Sequence, residues 1–125
     1  MADLVKAEVE ALYRAGKELI PEKAQIVADT AGTLSDSLGA WQGQAFGAGN
    51  PHSLTVAMAM NEELYTLMRR AVQLLNDMSI ALVAVADRFI HTDDQAAAAA
   101  QQLQALVQEP LTTVEVPPAH PVDES

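Results

Sequence analysis

Residues 39–51, Gly-Ala-Trp-Gln-Gly-Gln-Ala-Phe-Gly-Ala-Gly-Asn-Pro, hold four of the six glycines, one of the six prolines and the only tryptophan of the chain. They separate two long runs that carry apolar residues at helical spacing. Glycine takes positive φ and stops helices, and Asn-Pro sets an extended step before a new start. The stretch therefore predicts a corner: one helix over about 3–38, a bend over 39–52, and a second helix over about 53–92. Trp41, alone of its kind at the corner, is placed to pin it.

The two runs are rich in alanine, leucine, glutamine and methionine, and they lack the β-branched and aromatic alternation of strands. The fold class this implies is all-α, in one domain by length. The net charge is −10, and the seven bases are scattered along the chain. Phosphate backbones require a clustered basic face, so nucleic acid is not an expected partner. The absence of cysteine excludes disulfides, thiolate metal sites and cysteine nucleophiles. The first ten residues lack a basic segment followed by an apolar core, so no cleaved general secretory signal is expected, and no run is long and apolar enough for a stable membrane span.

In the first run Val5, Leu12, Leu19 and Ile26 recur every seven residues, beside a second such row of Tyr13, Ile20, Val27, Leu34 and Trp41. Two adjacent rows make the apolar stripe of a helix packed along its length. Pro21 interrupts the run, because it removes one backbone hydrogen bond and crowds the preceding turn. The apolar phase continues through it, which favours a kinked continuous helix over two helices meeting, with Gly16 easing the bend.

The second run repeats Leu54, Asn61, Met68, Leu75, Leu82 and Phe89 at seven-residue spacing, with Leu64, Ala71, Met78 and Val85 three positions on. That is a heptad-like seam, widened by Met58, Tyr65 and Val72 so that it meets more than one neighbour. Asn61 is its polar exception. Residues 93–109 form an Ala/Gln-rich helical extension, either a short separate helix with Thr92 and Gln95 as a capping box or a continuation with a mild break. With few large apolar residues it should be less tightly held. Residues 110–125 are proline-rich without helical period and read as a disordered tail.

Two rods of this length, on the order of 55 Å at about 1.5 Å per residue, share one narrow seam. Both stripes are wider than that seam needs, and a single layer buries too little to offset chain entropy. The expected architecture is thus an antiparallel two-helix hairpin, residues 1–92, that pairs with a second hairpin, itself or a sister protein, into a four-helix bundle. The interface residues proposed on this ground are Leu12, Leu19, Ile26, Leu34, Met68, Leu75 and Leu82.

Trp41-Gln42-Gly43 between two amphipathic helices, the near-hundred-residue helical core, the acidic balance and the missing signal peptide make the chain resemble the small WxG-type proteins of bacterial type VII (ESX) secretion. The resemblance covers about residues 1–95. It implies that Trp41 and Gly43 form part of an export signal together with a tail motif of tyrosine followed four residues later by an acid. Here that place reads Phe89-Ile90-His91-Thr92-Asp93, with phenylalanine for tyrosine. The resemblance allows either a tolerated variant of the signal or a subunit that travels on its partner's signal. Phe89 also belongs to the Leu75 and Leu82 row, where a plain packing role would account for it.

No catalytic constellation is legible. His52, His91 and His120 lie far apart in the chain, and Glu62-Glu63 and Asp93-Asp94 are adjacent pairs that diverge on a helix. The reading is non-enzymatic, without cofactor or metal. It takes the chain as a secreted or cell-surface protein, exported without a signal peptide, with the type VII machinery as a partner. The alternative is a cytoplasmic helical adaptor or chaperone that shields a client helix, supported by Met58, Met60, Met68 and Met78, since thioether side chains suit adaptable surfaces.

Overall fold

The computed structural model describes residues 2–45 and 51–118, with side chains placed for 3–37, 52 and 55–118. Among these residues every regular element is helical. They are α1 (Ala2–Arg14), a π-helical turn (Ala15–Leu19), α2 (Ile20–Ala45), α3 (Pro51–Thr92), α4 (Asp94–Gln102) and α5 (Gln104–Gln108).

Pro21 neither breaks the first run nor leaves a simple kink. The flanking residues Arg14 and Ile20 both keep right-handed helical dihedrals, and the Ile20 amide donates to the Ala15 carbonyl, five residues back. The wider turn lies just before the proline and relieves the crowding its ring imposes on the preceding carbonyls. One added residue also advances the phase by about 100°. Beyond the turn the buried face is consequently Ala24, Ala28, Ala31 and Ser35, while Leu19 and Ile26 stand 52% and 55% exposed. The single stripe expected through Leu12, Leu19 and Ile26 is corrected on this point: only its first part, with Val5 and Leu12, packs against the chain's own buried cluster.

Helix α2 continues to Ala45, beyond the end expected near Leu38. Glycine stops a helix only where the chain turns to positive φ, and otherwise costs about 1 kcal/mol that neighbouring turns can absorb. Residues 46–50 of the expected bend lie outside the described residues.

The chain forms two compact units, Met1–Ala24 with Leu74–Val114, and Gln25–Gln73 with Glu115–Ser125. This division differs from the sequence partition into 1–92, 93–109 and 110–125. In the first unit Val9 and Tyr13 of α1, Val83 and Ala86 of α3 and Ala96 of α4 form one buried cluster, with Phe89, Ile90, Leu103, Leu106, Val107 and Leu111 packed around it. The alanine run is therefore not loosely held. Ala96 is fully buried and Ala99 nearly so, because a methyl side chain lets α4 lie close to α1.

The cap between α3 and α4 is Asp93 rather than Thr92. Asp93 is extended (φ −129°, ψ 123°), and its carboxylate accepts from the Ala96 amide at 2.9 Å. Thr92 instead donates its hydroxyl to the Arg88 carbonyl at 2.9 Å, completing α3. A carboxylate is the better acceptor for an unpaired helix amide and opposes the positive end of the helix dipole.

Part of the expected tail makes specific contacts. Residues 111–118 have no regular secondary structure, yet they are held. In the first unit the Asn76 amide grips Val114 as a strand would, accepting from its N–H at 3.0 Å and donating to its carbonyl at 2.8 Å. In the second unit the Tyr65 hydroxyl donates to the Pro117 carbonyl. Pro117 also sits 3.3 Å from where a Cβ on Gly32 would stand, so glycine there makes room for the proline ring. The expected tail residues 119–125 lie outside the described residues.

Candidate interaction surface

Helix α3 carries two parallel apolar seams. The inward one runs through Asn61, Met68, Val72, Leu75, Ser79, Leu82, Val83 and Ala86, all buried or half-buried. Asn61 is buried there rather than reaching water. The outward seam starts at Met60 and steps alternately four and three residues to Leu64, Leu67, Ala71, Leu74, Met78, Ala81 and Val85. Its six large residues are all exposed, Leu74 at 64% and Met60 at 60%. Because the seams are offset by one residue they lie about 100° apart around the helix. A helix that faces two neighbours has this geometry.

Of the residues assigned to a partner from sequence, Leu12, Leu34, Met68, Leu75 and Leu82 are half-buried within the chain, and Leu19 and Ile26 are exposed. Sequence reasoning found Leu64, Ala71, Met78 and Val85 but missed Met60, Leu67 and Leu74 as members of the same seam. Scoring the four-three spacing in every phase, rather than seven-residue rows singly, brings them out.

The proposed export residues have structural positions of their own. Phe89 packs on the buried cluster of the first unit, and Asp93 caps α4. Trp41 and Gly43 lie within the backbone of α2, and the Trp41 side chain lies outside the described residues.

A polar cluster unread from the sequence joins α1 and the π-helical turn to α3 and α5 within the first unit. Lys17 is only 8% exposed, and its ammonium donates to the carbonyls of Leu106 at 3.1 Å and Val107 at 2.6 Å. It also lies 4.9 Å from the Tyr13 ring centre, within cation–π range. The Tyr13 hydroxyl donates to Asp87 Oδ1 at 2.5 Å. Pro21, four residues after Lys17, was the available signal: the turn it distorts is the one that turns Lys17 inward.

Burial first, then the hydrogen bond to Asp87 and its charge, push the Tyr13 hydroxyl well above the ordinary tyrosine range. The folded state thus keeps a proton that the unfolded chain begins to lose near the usual value of about 10. This contribution to stability is intact below that pH and falls as pH rises above it. Tyr13→Phe is expected to cost about 1–2 kcal/mol at neutral pH and to flatten the decline between pH 10 and 11. Urea unfolding at both pH values checks this, and an unchanged alkaline decline in the variant contradicts it.

Among the described residues no group of three His, Asp or Glu side chains is placed to hold a metal ion, and no helix is long and apolar enough to cross a membrane. No protein family, curated protein or solved structure matches the chain.

Proposed function

We propose that this chain is a non-enzymatic helical-hairpin protein that completes its fold with a second helical chain, as a four-helix bundle, and leaves the cell by the type VII route. The observation that carries the pairing is the outward seam of α3. Three large apolar side chains of this seam stand exposed in each unit, Met60, Leu64 and Leu67 in the second and Leu74, Met78 and Val85 in the first, and exposed apolar rows mark interaction sites. The hairpin is supported by contacts in opposite chain order, Gly16 facing Ser79 and Val83 while Tyr13 bonds Asp87.

The export reading rests on the resemblance of Trp41-Gln42-Gly43 and Phe89…Asp93 to the WxG-type pattern. In a bacterium with an active type VII system, the parent chain should accumulate in culture filtrate. Trp41→Ala should lower that amount at least tenfold while circular dichroism of the purified variant stays that of the parent. Equal export of parent and variant removes the role of Trp41, and retention of the parent in the cytosol removes the export reading.

One observation favours a second reading, a cytoplasmic adaptor for a client helix. Met60 and Met78 stand on the exposed seam rather than filling gaps in the interior, and methionine surfaces repack to fit varied partners. Retention in the cytosol with a bound client is its signature.

A further inference from the structure

Independently of the pairing and export readings, we infer that Asn76 forms a site for an extended peptide backbone, filled in this structure by the chain's own Leu111–Val114 and able to take a separate peptide of the same chemistry. Asn76 Oδ1 accepts from the Val114 N–H at 3.0 Å, and Asn76 Nδ2 donates to the Val114 carbonyl at 2.8 Å. One side chain thereby satisfies both main-chain groups of a single residue, as a neighbouring strand does in a sheet. Such a grip reads backbone rather than side chain. It takes any extended residue that carries an N–H, and it refuses proline.

A second contact gives the site a direction and one side-chain preference. Leu111 packs on the buried cluster whose α3 members are Val83 and Ala86, while Thr112 and Thr113 between the two contacts are exposed. Three extended residues span about 10 Å, and α3 rises about 10.5 Å from Asn76 to Val83 at 1.5 Å per residue. The segment accordingly runs against the direction of α3, with Leu111 toward Val83. The pattern recognised is an apolar residue of leucine size, two free positions, and then a residue other than proline. Hydrogen bonds to one residue and one half-buried leucine give a segment that opens far below the global unfolding free energy. What keeps the site closed is the short link from α5, which ends at Gln108 and holds the segment at an effective concentration on the order of millimolar or above. A separate peptide therefore gains the site when that segment is weakened, or when the peptide is abundant.

The probe is a labelled peptide, Leu-Thr-Thr-Val-Glu-Val, copied from residues 111–116 and read by fluorescence anisotropy against the full-length chain. Val114→Pro removes the N–H that the site grips, so this variant should bind the peptide about tenfold or more tightly than the parent does. Adding Asn76→Leu should abolish that binding. N-methylation of the peptide valine that copies Val114 should abolish it too, and that change leaves the protein untouched. Should Val114→Pro disturb the fold, the parent chain serves instead: millimolar peptide should shift the NMR signal of the Asn76 side-chain amide, and the N-methylated peptide should not. Equal binding of the two peptides overturns the backbone grip, and no response from either protein overturns the site itself.

Discussion

Lys17→Met is expected to lower the stability of the protein by about 2–4 kcal/mol, with the loss concentrated where α5 meets α1. The ammonium satisfies the carbonyls of Leu106 and Val107 at once. These carbonyls belong to the last turn of α5, where the helix leaves acceptors unpaired and partial negative charge accumulates. Methionine keeps most of the volume and the apolar stem but supplies no donor, so the Val107 carbonyl loses the ammonium and the Leu106 carbonyl keeps only the long bond from the Glu109 amide, 3.3 Å. The packing of the charge on the Tyr13 ring is lost as well. Urea unfolding gives the magnitude, and amide hydrogen exchange gives the location: protection should fall over 104–109 before it falls in α1. Equal midpoints and equal exchange in variant and parent would mean that the two hydrogen bonds contribute nothing net.

The second large effect is expected at Gly16. A Cβ there would stand 2.7 Å from Val83 Cγ2 and 3.0 Å from the Ser79 carbonyl oxygen. The valine methyl can move, but the carbonyl belongs to the helix backbone of α3 and moves only with it. Gly16→Ala should therefore cost about 2 kcal/mol, although alanine in a helix is otherwise favoured over glycine by about 1 kcal/mol. Combining it with Val83→Ala should recover only part of the loss, because the carbonyl contact remains, and the two effects should be non-additive. Thermal unfolding of the two single variants and the double variant gives the coupling. A Gly16→Ala protein as stable as the parent would mean that the helices lie farther apart than these distances allow.

Much of the helical content was legible because it rests on local chemistry. The two runs have helix-forming composition and one strong period, and those properties do not wait on tertiary contacts. What could not be read was decided by neighbours. The turn before Pro21 is π-helical, which turns Lys17 toward carbonyls almost ninety residues away, and that one added residue turned Leu19 and Ile26 outward. The competition between Thr92 and Asp93 for the cap is a contest between two plausible motifs, settled by which side chain reaches the Ala96 amide. The strap 111–118 has no period because it is gripped through its backbone by Asn76 and Tyr65, a contact that composition cannot encode.

The candidate surface shows the same division. That α3 is apolar on more than one side was readable from its rows, whereas which row would be spent inside the chain and which left exposed depended on packing. Buried Ser79 marks the inner face. Its hydroxyl has no partner, and it lies where α3 comes against Gly16, so small size explains its presence there better than hydrogen bonding does.

The central claim is that the chain is completed by a second helical chain, itself or a sister protein, and its mass in solution tests that most directly. Light scattering of the pure full-length protein at micromolar concentration should give twice the 13.3 kDa of the chain where it pairs with itself, or a poorly folded, aggregating particle where its partner is a different chain. A well-folded particle of 13.3 kDa, unchanged in mass up to high concentration, would contradict it.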